Sequence, residues 1–240
     1  SEPKQVAARE VIDEGPFEHA HFHFAWHVPD IRHRDIPVLE VRSMLLGGGR
    51  SSRLYREVRD AKALVHSADA WAYTGEESGL FGMSAVADPN KLAQAREAML
   101  EEMHRFQVGL AKESELAKAI KQFTAGNLSA LKTMQGRATD LGSSWLSAGD
   151  FDFSRRQLEA ARTVTPDILQ TVSKRYLTLE NQTYYALTPT GRRPKTKPRS
   201  ISRRARDIKK IDLSNGLRLL LKEDNRLPFV HYRAWFLGGV

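Results

Sequence analysis

Between Arg192 and Lys210 the chain carries ten Lys or Arg against the single acid Asp207. Pro194 and Pro198 favour extended backbone there, the like charges repel, and large apolar residues are nearly absent. Such a stretch reads as a solvated linker and not as part of a core. It divides the 240 residues into a body of about 190 residues and a C-terminal piece of about thirty. Outside it, 27 bases face 28 acids, so the overall charge of +8 belongs to the linker and the body is electrically ordinary. A basic run binds phosphates by releasing counterions, but this one has no interleaved aromatic on which a base could stack. A hinge is therefore preferred, and no nucleic-acid partner is expected.

The C-terminal piece, KKIDLSNGLRLLLKEDNRLPFVHYRAWFLGGV, reads as two or three strands with Asn215-Gly216 as a turn dipeptide and alternation in VHYRAWF. So few residues cannot close a core, and the piece is expected to open a further domain. No stretch approaches the ~20 apolar residues of a membrane-spanning helix, and the start SEPKQVAAREVIDEG is charged where a signal peptide is apolar. With no cysteine, neither a disulfide framework nor a thiolate zinc site is available. These features leave the compartment open.

Within the body, HAHFHFAWHV alternates as a strand with two different faces and ends at Pro29. DIPVLEVRSMLL follows as a helix, with Asp35 as N-cap, Pro37 in the first turn, and Gly47 to Gly49 as its stop. That glycine turn lacks the preceding strand and the Gly-Lys-Ser/Thr ending of a phosphate loop, so a helix-breaking turn is the better reading. Ser51 and Ser52 are expected to cap a second helix, RLYREVRDA, before a hairpin of SADAWAYT and LFGMSAVA joined by GEESG. KLAQAREAMLEEMHRF and KESELAKAIKQF have helical spacing, and the run through Trp145 is expected to break near Gly126, Gly136 or Gly142. Thr165-Pro166-Asp167 starts another helix, and TYYALTP returns to the sheet. Strands grouped among helices without regular alternation predict an α+β domain, an antiparallel sheet with helices packed mainly on one face.

The string LLGGGRSSRLYREVRDAKAL, followed by a hairpin ending in GLFGMSAVADPNKL, resembles the C-terminal domain of a repeat in the pitrilysin/insulinase-type zinc metallopeptidases. That family includes mitochondrial processing peptidase. The resemblance continues through KESELAKAI, GRATDLGSSWLSAGD and VTPDILQTVSKRYL, and LSNGLRLLLKEDNRLPFVHYRAWFLGGV is similar to the first strands of a following repeat. It implies a lead-in over residues 1–16, a non-catalytic domain over 17–190, a basic linker over 191–208, and a truncated next repeat over 209–240.

In that family an H-x-x-E-H motif supplies two zinc ligands and a general base. The spacing is absent from these 240 residues. The resemblance therefore implies a fragment that does no hydrolysis alone and holds no cofactor, within a parent that uses zinc. Its implied partners are a catalytic N-terminal-type domain and a peptide substrate, with the domain forming chamber wall and the contact between halves; a homodimer of the fragment is also expected. The alternative is a structural or assembly subunit of the same family without activity.

Two residues carry over as substrate contacts. Arg59 aligns with an Arg that reaches the scissile peptide together with a Tyr seven residues later, where this chain has His66. A purely structural role for Arg59 and His66 stands beside that reading. His19, His21, His23 and His27 invite a metal hypothesis, yet neighbouring positions on one strand face lie about 7 Å apart, too wide for regular chelation. An exposed strand is expected instead, with no metal site. Trp26, Trp71, Tyr73 and Trp145 are expected as core or interface anchors.

Overall fold

The computed structural model describes residues 5–192 and 209–221, which fall into two compact units. The first is built on a five-stranded sheet in the order β1-β5-β2-β4-β3. Its strands are β1 (Arg9–Gly15), β2 (Ala20–Val28), β3 (Ser67–Thr74), β4 (Gly79–Ala87) and β5 (Gln182–Pro189). The pairs β2 with β4, β2 with β5 and β3 with β4 are antiparallel, while β1 runs parallel to β5 at the edge. Residues 9–15 are thus a hydrogen-bonded part of the sheet, with Arg9 opposite Thr183 and Gly15 opposite Pro189.

The alternation read in β2 has a direct structural counterpart. Ala20, Phe22, Phe24, Trp26 and Val28 are buried, whereas His23 on the other face is exposed. Phe22 and Phe24 meet Tyr184 of β5, and Trp26 stacks on Phe24 and donates from Nε1 to the Thr178 carbonyl at 3.1 Å. Burying four such large side chains removes apolar area worth roughly 1.5–3 kcal/mol each before conformational entropy is counted.

Helices cover that aromatic face, which leaves the face bearing His21 and His23 open as the α+β expectation requires. They are α1 (Ile36–Gly47), α2 (Leu92–Val108), α3 (Glu113–Ala130), α4 (Met134–Ala148), α5 (Phe153–Arg162) and α6 (Pro166–Tyr176), together with a π-helical segment over Leu54–Ala61. Thr165 caps α6 as expected, its Oγ1 accepting from the Ile168 N–H. The expected break falls beside Gly136, between α3 and α4, where Thr133 Oγ1 accepts from Gly136 N at 3.0 Å. Gly126 and Gly142 stay inside helices, because a glycine only lowers helix propensity whereas a new cap gives the chain a defined restart.

Two expected caps are not formed. Asp35 occupies the N-cap position of α1 without a side-chain cap bond, because its carboxylate is drawn to α6. Ser51 and Ser52 do not cap the next segment, which winds with wider π-type bonds from an Arg53 N-terminus. The buried Arg42 of α1 reaches α2, donating from Nη2 to the Met103 carbonyl at 3.0 Å and lying 4.9 Å from the Phe106 ring centre.

In the second unit β6 (Lys209–Asp212) pairs antiparallel with β7 (Arg218–Leu221). Asn215 Oδ1 accepts from the Leu217 N–H, and Gly216 takes a φ of 81°, as a turn at Asn-Gly demands. The run VHYRAWF and residues 193–208 of the expected linker lie outside the described residues.

Candidate functional site

The register of the sheet builds the site. Ala20 of β2 pairs with Ala87 of β4, and Ser67 of β3 with Val86. One step beyond those pairs, at a single end of the sheet, stand His19, Asp88 and His66. The turn between the π-helical segment and β3 brings the last of these in, held by its N–H donating to the Val86 carbonyl at 2.8 Å.

An open pocket of about 430 Å³ lies there, lined among others by Arg59, Asp60, Ala63, His66, Asp88 and Lys91. Arg59 and His66 are brought together as the sequence pairing suggests. The contact, however, is between the Arg59 guanidinium and the backbone: Nε donates to the His66 carbonyl at 2.8 Å. The guanidinium also lies 4.5 Å from the Tyr55 ring centre, one helical turn back, which fixes its plane. Arg59 keeps 37% of its side chain exposed, so the cation is still presented to the pocket.

His66 Nε2 donates to Asp88 Oδ1 at 2.9 Å, and His19 Nδ1 lies 3.7 Å from the same oxygen. The two imidazoles are 4.6 Å apart, centre to centre. Lys91 Nζ occupies the other side, 3.4 Å from Asp88 Oδ2 and 3.2 Å from the Ala63 carbonyl. The hydrogen bond from His66, aided by Lys91, holds the Asp88 carboxyl below its usual range, so it is an anion at neutral pH. Ala63 itself has a φ of 48°, a left-handed conformation that costs a residue with a Cβ about 1–2 kcal/mol.

His21, His23 and His27 take no part in this cluster. They stand at positions 21, 23 and 27 on one face of β2, and His21 packs edge-on against Phe17. The four-histidine reading thus divides: His19 leaves the strand and joins His66 and Asp88, which lie far from it in sequence. The hairpin joined by GEESG places His66 near Asp88, but nothing local in the sequence tells that β2 lies beside β4.

The family model of the peptidase M16 inactive domain matches residues 1–123 of this chain. An uncharacterised zinc protease of Streptomyces coelicolor is 28% identical over 135 residues, 56% of this chain and 29% of that protein. The zinc protease PqqE of Helicobacter pylori is 28% identical over 144 residues, 58% of this chain and 32% of that protein. This chain therefore spans about a third of the length of these curated relatives. Among solved structures, a protease from Helicobacter pylori matches with a TM-score of 0.72 at 24% identity, over 78% of this chain and 45% of that one. A peptidase M16 inactive domain from Pseudomonas fluorescens matches with a TM-score of 0.70 at 17% identity, over 79% of this chain and 45% of that one.

Proposed function

Because this chain belongs to the peptidase M16 inactive-domain family, we propose that it forms non-catalytic wall of the peptide-binding chamber in a zinc-dependent metallopeptidase, and the contact between that enzyme's halves. The observation that carries this reading is the family match over residues 1–123 together with the absence of H-x-x-E-H from all 240 residues. Zinc hydrolysis requires ligands that acidify a water and a base that takes its proton. In this reading those groups stand on a catalytic-type domain of the parent protein, across the chamber.

The chain's own contribution is positioning. Arg59, flattened against Tyr55 and tied to the His66 carbonyl, holds a cation at the pocket mouth, where a peptide carbonyl gaining negative charge is stabilised. Trp145, Leu146 and Phe151 on and after α4 are 52%, 76% and 56% exposed, and the rings of Trp145 and Phe151 stack 4.7 Å apart. Such an apolar surface suits the contact between halves.

The test is peptide hydrolysis by the full-length parent. That protein should cleave unfolded peptides, lose the activity to a chelator and regain it with Zn²⁺, while this chain alone cleaves nothing. Hydrolysis by the isolated chain would overturn the assignment. A zinc-loaded parent with no activity would favour a structural subunit instead.

A further inference from the structure

Among the described residues, His19, His66 and Asp88 are the group of three histidine or carboxylate side chains whose ligand atoms all lie within 4.8 Å of one another. We propose that they bind one divalent late-transition-metal cation, with Zn²⁺ the best match, at the end of the sheet beside Arg59. These three residues form no H-x-x-E-H pattern, and the site stands or falls independently of the chamber reading.

The distances carry the proposal. With bonds of about 2.0–2.2 Å, donors around a tetrahedral zinc lie about 3.4 Å from one another. Here Asp88 Oδ1 is 2.9 Å from His66 Nε2 and 3.7 Å from His19 Nδ1, so small rotations of exposed rings bring all three to that spacing. The three side chains are 52%, 45% and 35% exposed in the order His66, His19, Asp88, so an ion reaches the cluster from its surface and a turn of the His19 ring brings its shielded Nδ1 to it without opening the fold. Two imidazoles and one carboxylate are a donor set for zinc and its neighbours, and a poor one for Mg²⁺ or Ca²⁺, which prefer oxygen.

The surroundings are already arranged for a ligand. Lys91 sits on Asp88 Oδ2 and leaves Oδ1 to the imidazoles. Nδ1 of His19 is shielded from solvent and has no hydrogen-bond partner, a donor position left open within an otherwise bonded cluster. A bound ion would clamp the start of β2, the start of β3 and the end of β4 in one coordination sphere. Through His66, whose carbonyl anchors Arg59, it would also stiffen the arginine at the pocket.

The test is calorimetric titration of the untagged chain with Zn²⁺, with Mg²⁺ as comparison, and a thermal melt at each endpoint. One equivalent should bind and raise the melting temperature, while Mg²⁺ does neither. His66→Ala, His19→Ala and Asp88→Asn should each weaken binding at least tenfold with unchanged far-UV circular dichroism, while His23→Ala binds as the parent chain does. Absence of saturable binding, binding that survives all three substitutions, or equal loss in His23→Ala would overturn the proposal.

Discussion

The Tyr176 hydroxyl donates to Asp35 Oδ2 at 2.8 Å, and Arg175 Nη1 donates to the same oxygen at 2.8 Å. The carboxylate that the sequence offers as a helix cap instead bolts the start of α1 to the end of α6, across about 140 residues of chain. Asp35 is only 6% exposed, so removing its partners leaves a carboxylate with little water to replace them.

Asp35→Ala is accordingly expected to cost roughly 2–3 kcal/mol in urea unfolding, because two hydrogen bonds to one buried charge are lost. Tyr176→Phe, which keeps the ring and the Arg175 bond, should cost about half as much. Equal stability of the wild type and Asp35→Ala would show that the joint carries no weight.

Glu40 of α1 has its carboxyl pushed up by burial to about 7. An acid whose folded value lies above its unfolded one stabilises the fold when protonated, so its contribution is complete below about pH 4.5 and is lost as pH rises through 7. Glu40→Gln should therefore be close to neutral near pH 4.5 and more stable than the wild type by up to about 3 kcal/mol at pH 8. Urea midpoints for both chains at the two pH values check this; a wild type that gains on Glu40→Gln as pH rises would refute it.

Gly47, the last residue of α1, and Gly49, in the turn after it, are predicted to differ although they stand two residues apart. A Cβ at Gly47 would overlap the backbone of Asp69 and Ala70 in β3, which cannot swing away. Gly47→Ala should cost at least about 2 kcal/mol, as overpacking against a fixed backbone does. Gly49 has open space but a φ of 79°, so Gly49→Ala should cost only about 1 kcal/mol. Thermal melts of the two variants rank them, and the reverse order would contradict the close approach of α1 to β3.

Leu146→Glu tests the exposed surface of α4. Leu146 is 76% exposed, so the change should shift stability by no more than about 0.5 kcal/mol. Sedimentation of the isolated chain should nevertheless show less self-association, and an unaltered sedimentation profile in a self-associating chain would remove α4 from the contact.

Elements with a strong period are legible in the sequence alone. The strand over β2, the helical spacing of α2, the Thr165-Pro166 start of α6 and the Asn215-Gly216 turn each depend on a few adjacent residues and their backbone preferences. Arg59 and His66 are legible only through their resemblance to a family pattern, and the bond between them runs to a carbonyl that no side-chain pattern encodes. Asp35 reads locally as a cap, but a cap is only a local competitor for its carboxylate, and the distant partners Arg175 and Tyr176 leave no mark on the residues around it.

The sequence by itself determined the alternation, the helix stops, the family and the lack of a zinc-hydrolysis motif, since all of these are properties of neighbours along the chain. Tertiary structure alone decided that β1 runs parallel to β5, that β2 lies between β4 and β5, and hence that His19 meets Asp88 and His66. Strand order is settled by which buried faces fit together once segments far apart in sequence collapse onto one core, and that energy has no signature in any single stretch of residues.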